Sequence, residues 1–344
     1  MNYIKSSRET SRLKALLEHY EYGKMPPPPK HLTVTKTVSD RFFAAGKAEL
    51  IDAELTIELE NEKVYTMAVR CALPQGRNNC PAFIHIKDSL NMPDRHQPTE
   101  ELCDGGFAVI SLGVDWLAKE MHGKKRGLAR ALRGSGRRLD TCGSLAIFAW
   151  CAMRAVDYLC SLDRIDSSRI SVVGHGIYGT ATLLAAAYDR RISTAISNSA
   201  GPSGVAKREL VTGELFELKC RRPDLFCKRF YKMSGREDEI PFDSDALLRL
   251  IAPRHVLLDN AEDVLSKCAD AELLSAISAS KYYEGQGTLG LLTTDSANPC
   301  EASAHDGEVR YIDGALAYRC RMGLPYISRE DWQAYMKFVR GGAI

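Results

Sequence analysis

The chain has 344 residues, 45% of them hydrophobic and 26% charged, which are the proportions of an ordinary globular protein. Lys and Arg number 46 against 44 Asp and Glu, and a net charge of +2 gives no global attraction to nucleic acid or to an acidic surface. Disorder, collagen and coiled coil are excluded for the whole chain, and no stretch approaches the roughly 18 uninterrupted apolar residues of a membrane span.

The opening residues Met1 to Glu9 contain no apolar run of the signal-peptide kind. Eleven cysteines is an odd number, and none form a Cys-x-x-Cys pair. They read as buried, reduced thiols, from which a cytoplasmic location is expected. Thr10 to Tyr22 predicts an amphipathic helix with Leu13, Leu16 and Leu17 on one face and Gly23 as its stop. Pro26 to Pro29 follows as a stiff spacer, so residues 1–30 form an N-terminal appendage.

The segments His31–Val38, Ala48–Glu58, Lys63–Leu73 and Ala82–Ile86 predict an antiparallel opening that leads into buried strands. The rhythm then becomes strand (Phe107–Ile110), helix (Leu145–Leu159), strand (Arg169–Val173), helix (Tyr178–Tyr188) and strand (Arg191–Ser197). A strand His255–Leu258 and a helix Ala269–Tyr283 come later. The last helix, Arg329–Val339, opens on Ser328 as N-cap with Asp331 in its first turn. This alternation predicts one α/β domain over residues 31–344, a mostly parallel central sheet covered by helices on both faces. Pro202 to Pro253 interrupts it and reads as a helical insertion of about 202–253 capping the strand ends.

The segment Ile170 to Ala181 carries the most information, and two motifs fit it. Gly174-x-Gly176-x-x-Gly179 between a strand and a helix matches the dinucleotide fingerprint. Its usual acidic companion is missing, because the next strand ends Ser197-Asn198-Ser199. By position, Gly174-His175-Gly176-Ile177-Tyr178-Gly179 instead has the frame of a nucleophile elbow, with glycine where serine would stand. Glycine tolerates the strained backbone such a turn demands.

Taken with several other segments, this turn resembles the glucuronoyl-esterase-like α/β-hydrolases, carbohydrate esterases that cleave methyl-glucuronate esters. The segments are Tyr22 to Pro27, Phe148 to Leu159, Asp166 to His175, Pro241 to Asp243, Leu250 to Arg254, and Asp331-Trp332 with Tyr335 and Phe338. The resemblance implies an α/β-hydrolase fold and places the nucleophile at Gly176, the oxyanion-assisting arginine at Ile177 and a lysine at Thr180. It places the catalytic histidine at Pro325, in the run Tyr318 to Pro325. Asp263 is the candidate retained acid, preferred over Asp259 because Glu262-Asp263 matches the family's acidic pair. Asn198 and Ser199 occupy the alternative acid position without a carboxylate, and His175, Ile177, Tyr178, Thr180, Asn198 and Ser199 are the expected pocket residues.

A serine esterase needs an activated hydroxyl and an imidazole. Glycine and proline supply neither, so this chain is expected to be inactive as a serine esterase and to act by binding a ligand or a partner. An acidic sugar or its ester is the first ligand implied. An active carboxylic-ester hydrolase with relocated groups, using His175, Asp263 or a serine such as Ser197, Ser199 or Ser203, is one alternative; a dinucleotide-binding protein is the other. His305-Asp306 reads as surface, and Arg319 and Arg321 flank Cys320 on the opposite strand face. No metal-ligand spacing joins His85, His122, His175 and His255, and no cofactor is expected. From His122 to Arg138 seven basic residues occur with no acidic one, and Arg126, Arg130, Arg133 and Arg137 have one-face helical spacing. That segment, 122–138, reads as a solvated face or a docking patch for an acidic partner.

Overall fold

The computed structural model describes residues 2–91, 94–116, 127–134, 136–262, 268–291 and 308–341. In β2 (Ala48–Glu58), Ile51, Ala53, Leu55 and Ile57 alternate inward. It pairs antiparallel with β1 (His31–Phe42), the exposed outer strand, and with β3 (Val64–Pro74). The next strands carry central apolar runs because both faces of those runs are buried. They are β4 (Cys80–Lys87), β5 (Ala108–Gly113), β6 (Ile165–His175), β7 (Ile192–Asn198), β8 (His255–Glu262) and β10 (Leu316–Met322). With β9 (Glu308–Tyr311) at the far edge, the order is β1-β2-β3-β5-β4-β6-β7-β8-β10-β9, parallel from β5 to β10.

Alternation sorts these strands between two helical layers. Ile84, Ile110, Val172, Ala195, Val256 and Leu316 face the larger layer. It contains α1 (Asn2–Tyr20), α2 (Ser144–Cys160), α3 (Ile177–Tyr188) and α6 (Cys268–Glu284). Phe83, Val109, Val173, Ile196, Leu257 and Ala317 face α7 (Arg329–Val339), which meets them with Trp332, Tyr335 and Phe338. Helix α7 begins with a capping box. The Ser328 hydroxyl accepts from the Asp331 N–H at 3.1 Å, and Asp331 accepts from the Ser328 N–H at 2.7 Å.

The insertion is helical, with α4 (Thr212–Arg221) and α5 (Ala246–Ile251) as its longer elements. Leu215, Leu225, Phe226, Phe230 and Leu247 join the core of the larger layer, and α5 packs on α3 and α6. Asp224 and Leu225 accept from the first N–H groups of α2, where a side chain at Gly143 would collide with the Leu225 carbonyl. The proline spacer is pinned by Trp150, whose indole donates to the Pro27 carbonyl at 2.8 Å.

Three kinds of detail depart from the sequence-based expectation: early element starts, a longer strand and the basic segment. Helix α1 starts at Asn2, and β6 starts at Ile165. Strand β8 runs to Glu262 instead of ending at Leu258, because β10 pairs with it through Met322↔Glu262. Asp259 therefore lies inside the sheet. The third departure concerns the basic segment, where the described helix covers only Leu128–Arg133 and Gly134 turns at φ 60°, so Arg137 does not continue its face. Arg133 there donates to Ser144 and Arg138 pairs with Asp140. The ten cysteines among the described residues are free thiols, eight of them buried. Among the described residues no helix is long and apolar enough to cross a membrane.

Candidate functional site

Strand β6 hands over to α3 at Gly176, which has φ 58° and ψ −128°. That backbone disfavours any L side chain. Its neighbours are small for a different reason. A Cβ at Gly174 would collide with the Tyr178 carbonyl, and one at Gly179 would lie 2.7 Å from Ser197 Oγ. At Gly176 itself nothing among the described residues lies within 4 Å of the Cβ position. The turn is thus tightly packed below and open above, and the Gly176 N–H anchors it by donating to the Asn198 carbonyl at 2.9 Å.

Beside the turn lies a cleft of about 620 Å³ at the carboxyl ends of β4 and β6. Its walls are the stretch leaving β4, residues 94–96, His175, Tyr178, and Tyr326 with Ile327 before α7. Tyr178 donates its hydroxyl to Asp88 and packs edge-on against Phe148. Burial, reinforced by that carboxylate, raises the phenol's pKa. Lys87 and Asp94 form a 2.7 Å ion pair in the wall. Burial pushes the Asp94 pKa upward, but bonds from Lys87 and the His96 N–H outweigh it and leave the carboxyl below its ordinary value. His85 is buried behind them, bonded to Gln97 at 2.8 Å, and burial with the nearby Lys87 charge lowers its pKa to about 4. It stays neutral. A second cleft, of about 650 Å³, lies within the insertion between Arg208, Phe216, Glu237 and Phe242.

Behind the turn runs a buried polar chain. His175 Nδ1 meets Asn198 Oδ1 at 2.7 Å. The Asn198 amide donates to Asp259 Oδ2 at 2.8 Å and to the Tyr335 hydroxyl at 3.0 Å. Tyr335 in turn donates to Asp259 at 2.5 Å, and Arg319 Nε donates to the other Asp259 oxygen at 2.6 Å. Arg319 also holds Asp331, which receives Arg321 Nε and Nη2 at 3.0 Å each. Burial raises the Asp259 pKa, with the Arg319 guanidinium opposing it. At Asp331 burial also pushes upward, but the Arg321 and Ser328 bonds and the charge of Arg319 prevail and leave it below its usual value. Two guanidinium groups and two carboxylates thus neutralise one another under α7, with nearly every lone pair engaged.

Of the residues singled out from sequence, His175 and Tyr178 line the cleft, with Gly176 between them. Ile177 opens α3, half-buried. Thr180 is buried and bonds Ser203 Oγ at 2.9 Å, away from the cleft. Asn198 is buried in the polar chain, while Ser199, at φ 47°, donates its N–H to the Asp259 carbonyl at 2.8 Å. Pro325 is exposed in the loop before α7, next to the cleft residue Tyr326. Asp263, His305 and Asp306 lie outside the described residues. Among the described residues no group of His, Cys, Asp and Glu has metal-binding geometry. The sequence reading missed Asp88, Asp94 and His96 in the cleft, and the Asp259–Arg319–Asp331 cluster behind it. The available signal for the cluster was Arg319 and Arg321, two residues apart in an apolar strand.

Comparison with known proteins gives a consistent picture. A family model described as "Glucuronyl esterase, fungi" matches residues 56–287, well over half of the chain. Carbohydrate esterase MZ0003, from an unknown prokaryotic organism, is 31% identical over 208 residues, 58% of this chain and 46% of the relative. The 4-O-methyl-glucuronoyl methylesterase of Podospora anserina is 26% identical over 303 residues, 80% of this chain and 56% of that protein. The chain spans about half the length of the curated relatives it matches. Among solved structures, a glucuronoyl esterase from Solibacter usitatus superposes with a TM-score of 0.82 at 24% identity, covering 96% of this chain and 91% of the other. An esterase from a marine bacterial metagenome gives 0.81 at 21%, covering 97% and 91%. These two likenesses show the α/β-hydrolase fold.

Proposed function

The chain belongs to the glucuronyl esterase family, and we propose that it is a member that binds a ligand in the cleft between β4 and β6 without serine-esterase chemistry. The observation that carries this reading is Gly176, which occupies the strained strand-to-helix turn beneath open space and has no side chain. Without a hydroxyl there is no acyl-enzyme, and Pro325 has no imidazole to move a proton. Losing such a pair typically removes about 10⁶ in rate. Binding and backbone donors alone retain roughly 10³ to 10⁴ over water.

The ligand we propose is an acidic sugar or its ester. The cleft supports this with the exposed guanidinium of Arg95 and with ring nitrogens and hydroxyls suited to sugar oxygens. We place the protein in the cytoplasm on the same footing, since its free thiols suit a reducing compartment. The test is hydrolysis of a methyl glucuronate ester by the purified chain, beside calorimetric titration with glucuronate and its methyl glycoside. Hydrolysis at the buffer rate with saturable binding is expected. Turnover well above the blank would overturn the reading, and so would the absence of binding by every uronate.

A further inference from the structure

Three histidines border the cleft, and their surroundings differ. His85 is buried against Gln97 and Trp332. His96 Nε2 accepts from Arg95 Nε at 3.2 Å. His175 is half-buried at the carboxyl end of β6, and only its Nδ1 is engaged among the described residues.

The polar chain behind His175 decides which of its nitrogens carries the proton. Asp259 Oδ2 is a carboxylate oxygen and needs donors, so the Asn198 NH₂ group must face it at 2.8 Å. The second amide hydrogen goes to the Tyr335 oxygen, whose own proton goes to Asp259. Both hydrogens of the amide are then spent, and its oxygen faces His175. That oxygen only accepts, so His175 Nδ1 must donate, and in the neutral ring the lone pair then sits on Nε2, on the cleft side. Reversing the amide would set an oxygen against the Asp259 carboxylate. The lock therefore extends from a buried carboxylate, itself fixed by Arg319, through one amide to one ring.

We propose that His175 is the specificity-determining acceptor of the cleft, held by Asn198 as the Nδ1–H tautomer so that Nε2 accepts a hydrogen bond from a sugar hydroxyl. Asn198 and Asp259 are positioning residues, acting through the ring. The inference rests on the binding reading above and adds to it the ligand's chemistry, an O–H donor at the ring edge. A site built to pair with a hydroxyl rejects the analogue that lacks it.

The test uses the full ¹⁵N-labelled chain and long-range ¹H–¹⁵N correlation of its imidazole rings, with His175→Gln assigning the signals. In the ligand-free protein Nδ1 is expected in the protonated, pyrrole-like range and Nε2 in the unprotonated, pyridine-like range. Saturation with methyl glucuronoside is expected to move Nε2 toward the hydrogen-bonded range and leave Nδ1 in place. His175→Ala is expected to weaken that binding about tenfold, the worth of one hydrogen bond. A reversed pattern in the free protein would overturn the lock, and sugar binding with Nε2 unmoved would overturn the acceptor role while leaving the binding reading intact. No binding of the glycoside by a correctly folded chain would overturn both.

Discussion

Gly176→Ser tests the turn on which the functional reading depends. The substitution places an L side chain at φ 58° and ψ −128°, a backbone cost of about 1–3 kcal/mol. Among the described residues nothing lies within 4 Å of the new Cβ, so packing there adds no penalty and offers no relief. Removing a glycine also restricts the unfolded chain, which returns about 0.4–1 kcal/mol. The net expectation is a loss of about 1–2 kcal/mol. An unfolding entropy of about 2.1 cal/mol/K per residue makes that a fall of about 1.5–3 °C in Tm for a chain of this length. Gly174→Ala is the paired perturbation, because its Cβ falls on the backbone carbonyl of Tyr178 inside the first turn of α3. Its cost is expected to exceed 3 kcal/mol, at about the upper end of backbone and overpacking penalties combined. Differential scanning calorimetry and urea unfolding of the three proteins measure both effects. A Gly176→Ser protein as stable as wild type, or a Gly174→Ala protein no worse than Gly176→Ser, would refute this account of the turn.

Glu272 gives a pH dependence. Its carboxyl is fully buried and, among the described residues, only Oε2 finds a partner, Asn260, at 2.9 Å; burial raises its pKa from 4.5 to about 7. The folded chain therefore keeps a proton that the unfolded chain has released. The stabilisation is complete below about pH 4.5 and is lost as pH rises through about 7, a change of about 3 kcal/mol. Glu272→Gln is expected to flatten that part of a stability-against-pH profile, and an unchanged slope would contradict the assignment. Arg319→Met strips Asp259 and Asp331 of a shared buried cation and is expected to cost about 3–5 kcal/mol in urea unfolding. A loss below about 1 kcal/mol would mean that water or Arg321 compensates. Ser328→Ala removes the hydroxyl half of the α7 capping box, for an expected loss of about 1 kcal/mol in the same assay. An unchanged midpoint would show the cap to be redundant with the bonds of Arg321 to Asp331.

Much of the fold was legible because single faces are buried. Ala48–Glu58 was found at its true limits, since four alternating apolar residues can face only one core. Arg329–Val339 was found because Ser328 and Asp331 mark its start in local chemistry. The misjudged ends belong to segments whose sequence is polar and whose structure comes from a neighbour. Asp259 to Glu262 has no strand propensity to speak of, yet it pairs with Arg319 to Met322. Asp166 to Arg169 belong to β6 as an irregularity between the pairings of Ile165 with Cys80 and of Ile170 with Ala82.

The site was legible in proportion to how local its constraints are. Gly174, Gly176 and Gly179 answer to one turn, where each missing side chain has a backbone or steric cause within a few residues. The polar chain draws on β6, β7, β8, β10 and α7, and Asn198 and Tyr335 are 137 positions apart. No window of sequence contains both. What the sequence does contain is a contradiction, Arg319 and Arg321 on one face of a strand whose neighbours Leu316, Ala317 and Tyr318 are buried. A strand flanked by β8 and β9 and covered by helices offers little solvent to a guanidinium, so charges there require carboxylates from other elements. One buried and one half-buried arginine called for buried acids. Asp259 and Asp331 meet that demand. The same reasoning explains why His175, the variable residue of a glycine motif, sits at the head of the chain. The parallel strands bring their carboxyl ends to one edge, where a group fixed from the buried side can face a ligand on the other.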